Sequence, residues 1–128
     1  MTTVAEAIGR KSWAFAGGRV PFGATGKEPE LSSYDAIAIL NTGGRAADVR
    51  ITIWLVDDEP LGPFEIQVGA KRVRRIRVND LIDPQAVPLD TEYGMTVESS
   101  RLVVVQFTRQ DTRQRANASM STLAFPVS

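Results

Sequence analysis

The densest set of side chains able to do chemistry is Gln106-Phe107-Thr108-Arg109-Gln110-Asp111-Thr112-Arg113, which follows directly on the apolar run Leu102-Val103-Val104-Val105. In an extended chain alternate residues share a side, so Arg109, Asp111 and Arg113 project together. An aspartate between two arginines stays ionised, and planar guanidinium groups offer paired N–H donors to a carboxylate, a phosphate or a sugar hydroxyl. The same three residues suit an inter-strand or inter-subunit salt-bridge network equally well. Asn79-Asp80-Leu81 ends another apolar stretch, where Asn and Asp either close an Asx-type turn through their own side chains or present polar groups to a ligand. Trp13 lies among small apolar neighbours, as a core anchor or as a flat face for stacking a sugar ring. With Gln106 these give the candidate ligand set Trp13, Asn79, Asp80, Gln106, Arg109, Asp111 and Arg113.

A second cluster is Lys71-Arg72-Val73-Arg74-Arg75-Ile76-Arg77, five cations in seven residues, which invites phosphate contacts with nucleic acid. Alternation splits it, with Lys71, Arg75 and Arg77 on one face and Arg72 and Arg74 on the other. No aromatic interleaves with the arginines as a single-strand platform requires. The chain carries 15 basic and 15 acidic residues, so no overall field supports DNA association.

The composition excludes other chemistry. With no histidine and no cysteine, disulfides, thiol nucleophiles and imidazole- or thiolate-bound metals are absent, and neither metal nor cofactor is expected. There is no Gly-rich phosphate loop and no nucleophile elbow. Two carboxylates such as Glu59 and Asp90 could meet as glycosidase pairs do, but nothing in the spacing brings them together. The expectation is a protein that is not an enzyme. Glu6, Gly9, Arg10 and Lys11 interrupt the N-terminal stretch where a secretory signal needs an unbroken apolar run, and no window approaches the ~18 apolar residues of a spanning helix. A cytoplasmic protein without membrane insertion is expected, and Asn117-Ala118-Ser119 reads as a chance glycosylation pattern.

These groups must be positioned by strands. Over residues 47–56, Val49, Ile51, Ile53 and Leu55 alternate with Asp48, Arg50, Thr52 and Trp54, so the first set faces a core. Similar runs fall at about 12–16, 35–40, 64–69, 71–78, 94–99, 102–109 and 119–125. Turn signals stand between them at Gly17-Gly18, Asn41-Thr42-Gly43-Gly44, Asp57-Asp58-Glu59-Pro60 and Asn79-Asp80. The continuous apolar run 102–105 marks a central strand covered on both faces. Long connections at about 18–33 and 79–93 are the kind that carry function. At 128 residues with 43% apolar content, one core suffices. The sequence predicts an all-β, single-domain β-sandwich, jelly-roll-like, of about eight short strands over residues 1–128.

The succession Gly9-Arg10, Trp13, Val20-Pro21, Glu28-Pro29, Ile39-Leu40-Asn41, Glu59-Pro60-Leu61-Gly62-Pro63, Arg77-Val78-Asn79-Asp80-Leu81, Val87-Pro88-Leu89-Asp90, Val104-Val105-Gln106, Thr108-Arg109, Asp111, Arg113-Gln114 and Ser121-Thr122 resembles the sensory rhodopsin transducer family of bacteria. The resemblance covers about residues 8–125. It implies a β-sandwich protomer, a homotetramer, a seven-helix retinal photoreceptor as partner, and binding of sugars or similar small molecules in a polar pocket. Where the family's founding member has a His-acid pair this chain has Tyr34-Asp35, and Phe107 stands in place of a further His, so a histidine-dependent response is not expected. Ligand sensing therefore ranks above light signalling. The alternatives are a transducer docking on a sensory rhodopsin without a small ligand, and a DNA-associated regulator using the 71–77 arginines.

Overall fold

The computed structural model describes residues 7–19, 34–82, 85–88, 91–111, 118–123 and 125–126. Among these residues eight strands form in order: β1 (Arg10–Arg19), β2 (Tyr34–Asn41), β3 (Ala47–Leu55), β4 (Leu61–Val68), β5 (Arg72–Arg77), β6 (Glu92–Asp111), β7 (Ala118–Leu123) and β8 (Phe125–Pro126). A 3-10 turn, Val78–Asp80, follows β5. All pairings are antiparallel. The strands run β4-β3-β6-β1-β8 in one sheet, and β6 also carries β2, with β5 beyond it, and β7.

The two sheets share β6, a strand of 20 residues. Its first part, Tyr93 to Ser99, pairs with β3, and its last part, Val104 to Gln110, pairs with β2. The sequence reading splits this strand at residues 99–102, and the structure corrects it. Ser99, Ser100 and Arg101 form a corner without Gly, Pro or Asn, so the chain folds over from one sheet to the other while remaining extended. Trp13 pairs with Val97 in the first sheet and donates its indole N–H to Val103 O in the second, at 2.9 Å. Phe15 pairs with Met95, and its ring stands 4.2 Å from that of Phe107. The two arms of β6 thus face each other, and residues 92–93 and 109 return to one end of the sandwich.

The alternation in β3 places Val49, Ile51 and Ile53 in the core, with Leu55 packed at its margin and Asp48, Arg50 and Trp54 exposed. Ile37, Ile39, Phe64, Val68, Met95, Val97, Val103, Val105 and Phe107 complete one cluster drawn from both sheets. β6 is central, as its apolar run implies, although Leu102 and Val104 are only half-buried. Gly17-Gly18 is not a turn. It lies inside β1 at a register shift between Phe15 and Gly18, and a bulge is the other conformation that glycine pairs favour. A Cβ on Gly18 would stand 2.3 Å from the Tyr93 ring, so glycine is what lets that ring cross the strand. Among the described residues no helix is long and apolar enough to cross a membrane.

Candidate functional site

At the end where the arms of β6 return, a buried carboxylate gathers four donors. Asp35, in β2, has no solvent exposure. Arg109 sits opposite it in register on β6 and donates from Nε to Oδ1 at 2.9 Å and from Nη2 to Oδ2 at 3.4 Å. The Tyr93 hydroxyl donates to Oδ2 at 2.8 Å, and the Arg19 backbone N–H to the same oxygen at 2.9 Å. Arg109 Nη2 also donates to Gly17 O at 3.1 Å, so one guanidinium ties β2 of the second sheet to β1 of the first. The Phe107 ring lies 5.8 Å from the guanidinium carbon and supports it from below.

The outer side of this cluster is open. Gly17, Gly18, Arg19, Glu92 and Arg109 surround a pocket of about 260 Å³, with the Arg19–Glu92 ion pair at 3.5 Å on its rim. That volume lies just below the usual range for ligand pockets, so only a molecule of monosaccharide size or smaller would fit. Two guanidinium groups, each paired with a carboxylate, and the bulged β1 backbone line it with polar groups.

Tyr93 is held protonated. Burial pushes its phenol well above the usual tyrosine range, the neighbouring Asp35 charge and the hydrogen bond to it push the same way, and Arg109 opposes them. A pKa raised on folding contributes stability that is complete below the unfolded value, about 10, and is lost as pH rises beyond it. Wild type should therefore exceed Tyr93→Phe by a constant gap of about 1 kcal/mol up to about pH 9, and their urea midpoints should converge above pH 10 and then cross. Parallel midpoint curves across that range would remove the coupling.

The seven candidate residues separate in space. Arg109 is central to the site. Asp111 ends β6 with its side chain outside the described residues, and Arg113 lies outside them altogether. Asn79 and Asp80 occupy the 3-10 turn just beyond the Ala36–Arg77 pair, hence at the same end. That turn is closed by Leu81 N–H to Val78 O at 3.1 Å rather than by a side chain, and Asn79 Oδ1 is buried without a hydrogen bond. Gln106 is exposed, three residues from Arg109 and so on the opposite face of β6. Trp13 is 4% exposed, with its N–H bonded to Arg10 O and Val103 O, which places it in the core and away from the pocket. The indole with an open face is Trp54, beside Ala14, Ala16 and Gly94.

The basic run forms β5 at a sheet edge, with Lys71 in the preceding turn. Its arginines engage the protein: Arg74 Nη1 donates to Gln67 O at 2.8 Å and Arg72 Nη1 to Lys71 O at 3.0 Å. Among the described residues no group of three or more acidic side chains converges as a metal site would need.

Asp35, Tyr93 and Gly17 were not among the candidates. The available signal was Asp35 itself, the one charged residue in Tyr34-Asp35-Ala36-Ile37-Ala38-Ile39-Leu40, since a charge inside an apolar strand needs a partner.

A family model described as Anabaena sensory rhodopsin transducer matches residues 8–126. The solved structure of an Anabaena sensory rhodopsin transducer is 41% identical, with a TM-score of 0.73, over 80% of this chain and 99% of that one. The crystal structure of Thermotoga maritima 1070 is 28% identical, with a TM-score of 0.81, over 93% of this chain and 96% of that one. A search of curated proteins found no match.

Proposed function

Because the chain belongs to the Anabaena sensory rhodopsin transducer family, we propose that it is a non-enzymatic signalling domain whose Arg19–Arg109 pocket senses a small anionic or sugar-like ligand. The observation that carries this reading is Arg109 anchored on buried Asp35 while lining an open pocket. An arginine oriented in this way has little entropy left to lose on meeting a ligand. The same guanidinium spans the two sheets through Gly17 O, so occupancy can favour one spacing of the sheets over another. A ligand shifts such an equilibrium only as far as it binds one arrangement better. Asn79 and Asp80 extend the site along the same end, and the remaining polar candidates, Asp111 and Arg113, follow Arg109 in sequence.

Output passes to a protein partner, a sensory rhodopsin or another signalling protein, from a homotetramer in the cytoplasm. Exposed Trp54, Val56, Val73 and Ile82 support burial of further surface by association. The second reading, docking on a rhodopsin without a small ligand, is favoured by the description of the 41%-identical relative. DNA regulation through the β5 arginines ranks below both, because several of those side chains are already bonded to the protein.

Calorimetric titration with monosaccharides, sugar acids and small phosphates tests the proposal. Arg19→Ala is the informative variant, since its backbone N–H, the group that reaches Asp35, is retained. Saturable heat weakened about tenfold in this variant supports the pocket. No heat from any compound, with both proteins folded, transfers the function to receptor docking.

A further inference from the structure

The opposite end of the sandwich holds a second recess, of about 480 Å³, at the corner of β6. Three cations from three separate elements line it: Lys11 from β1, Arg45 from the turn between β2 and β3, and Arg101 from the corner itself. None of their side chains makes a hydrogen bond or ion pair with a described residue, and among the described residues no acidic side chain lines the recess. In a chain whose 15 basic and 15 acidic residues cancel, three cations around one cavity with no described acidic neighbour are a local excess that an anion relieves.

The walls are held in place. Asn41 Nδ2 donates to Arg45 O at 2.9 Å, and Gly43 N–H donates to Asn41 Oδ1 at 3.0 Å. Lys71 N–H reaches Gly43 O at 3.1 Å, and Ile8 N–H reaches Thr42 Oγ1 at 3.0 Å. At the corner, Arg101 N–H donates to Ser99 Oγ at 3.2 Å. The turn bearing Arg45 is thus fixed from several sides. A Cβ on Gly44 would meet nothing within 4 Å, so that wall is open to a bound group. Leu102 and Ala7 add an apolar surface.

We propose that this recess binds a small soluble phosphorylated compound, its phosphate held by Arg45, Arg101 and Lys11 and its organic part resting on Leu102. Guanidinium forks match phosphate oxygens in pairs, and the ammonium adds a point charge. A phosphate brings three terminal oxygens and close to two negative charges against these three cations, where a carboxylate brings two oxygens and one charge. A nucleic-acid backbone needs a continuous basic track, whereas these three cations close around one recess. The site is independent of the Arg109 pocket: eight residues of β6 separate Arg101 from Tyr93, roughly 25 Å of extended chain.

Isothermal titration and amide NMR at constant ionic strength, with glucose 6-phosphate, glucose and pyrophosphate as probes, test it. Both phosphates are expected to saturate with amide shifts at residues 7–11, 43–45 and 100–102, and glucose is expected to leave those residues unshifted. Arg45→Ala and Arg101→Ala should each weaken phosphate binding about tenfold without altering thermal stability, and Arg19→Ala should leave it unchanged. Absence of saturation overturns the proposal, as do equal glucose-induced shifts at those residues or undiminished phosphate binding in the Arg45→Ala/Arg101→Ala double variant. Loss of the phosphate signal in Arg19→Ala would place the phosphate at the other end. Binding to phosphatidylglycerol vesicles without binding of glucose 6-phosphate would make the site a lipid-headgroup contact and overturn the soluble ligand.

Discussion

Arg109→Leu lowers the unfolding free energy by about 3–5 kcal/mol in urea titrations, whereas Asp35→Asn costs about 1–3 kcal/mol. The two residues form one ion pair, yet their surroundings differ. Asp35 has no exposed surface, and the Arg109 side chain keeps 25% of its own. Removing the arginine strands a carboxylate that cannot reach water, with only the Tyr93 hydroxyl and the Arg19 N–H still bonded to it. Removing the carboxylate's charge leaves a guanidinium that can turn outward and rehydrate, and the amide oxygen of asparagine still accepts from those two donors. Losses of equal size would mean that Asp35 recruits water in the folded state. The reverse order would mean that Arg109, not Asp35, is the group that the fold depends on keeping paired. Arg109→Leu also opens the Gly17 O link between the sheets, so folded Arg109→Leu protein should lose ligand response beyond what Arg19→Ala loses.

Much of the fold was legible because it is local. The alternation of Val49, Ile51 and Ile53 with Asp48, Arg50 and Trp54 fixes which face of β3 is buried whatever lies across from it. The corner in β6 was not legible, since Ser99-Ser100-Arg101 has the polarity of a turn but keeps extended backbone, and only the positions of β1 and β2 on its two arms reveal the bend. Gly17-Gly18 carries the letters of a turn, and the reason for glycine there is the ring of Tyr93, 75 residues away.

The site divides in the same way. Arg109 announces itself as a charge at the end of an apolar strand, but its partner lies 74 residues earlier and is set by the register of β2 on β6. Parity along β6 already separates Gln106 from Arg109, because residues three apart fall on opposite faces. Trp13 and Trp54 could be told apart only in part by pattern: the alternation assigned Trp54 to the solvent side, while the burial of Trp13 depends on its contact with Val103 across the sandwich.

Asn41→Asp, although isosteric, should cost about 4 kcal/mol or more and lower Tm by roughly 15 °C. Asn41 is fully buried, and its Nδ2 serves three carbonyls: Arg45 O at 2.9 Å, Val68 O at 3.2 Å and Gly69 O at 3.2 Å. Its Oδ1 meanwhile accepts from Gly43 N–H. The side chain therefore clips the turn after β2 to the end of β4, using both donor and acceptor. Aspartate keeps the shape and removes the donors, setting a buried charge against three carbonyl dipoles. Asn41→Leu loses the same bonds without introducing charge and should cost less. The carboxyl introduced in Asn41→Asp would have a folded pKa above its unfolded value, so the stability it retains is greatest in acid and falls as pH rises. Its deficit relative to wild type should accordingly shrink between pH 7 and pH 4, while that of Asn41→Leu should hold steady. If the two deficits track each other with pH, the three carbonyls are reached by water and the clip is not what holds the turn. In that case Arg45 is not preset by Asn41, and any anion affinity of the far recess must come from cations that find their positions only on binding.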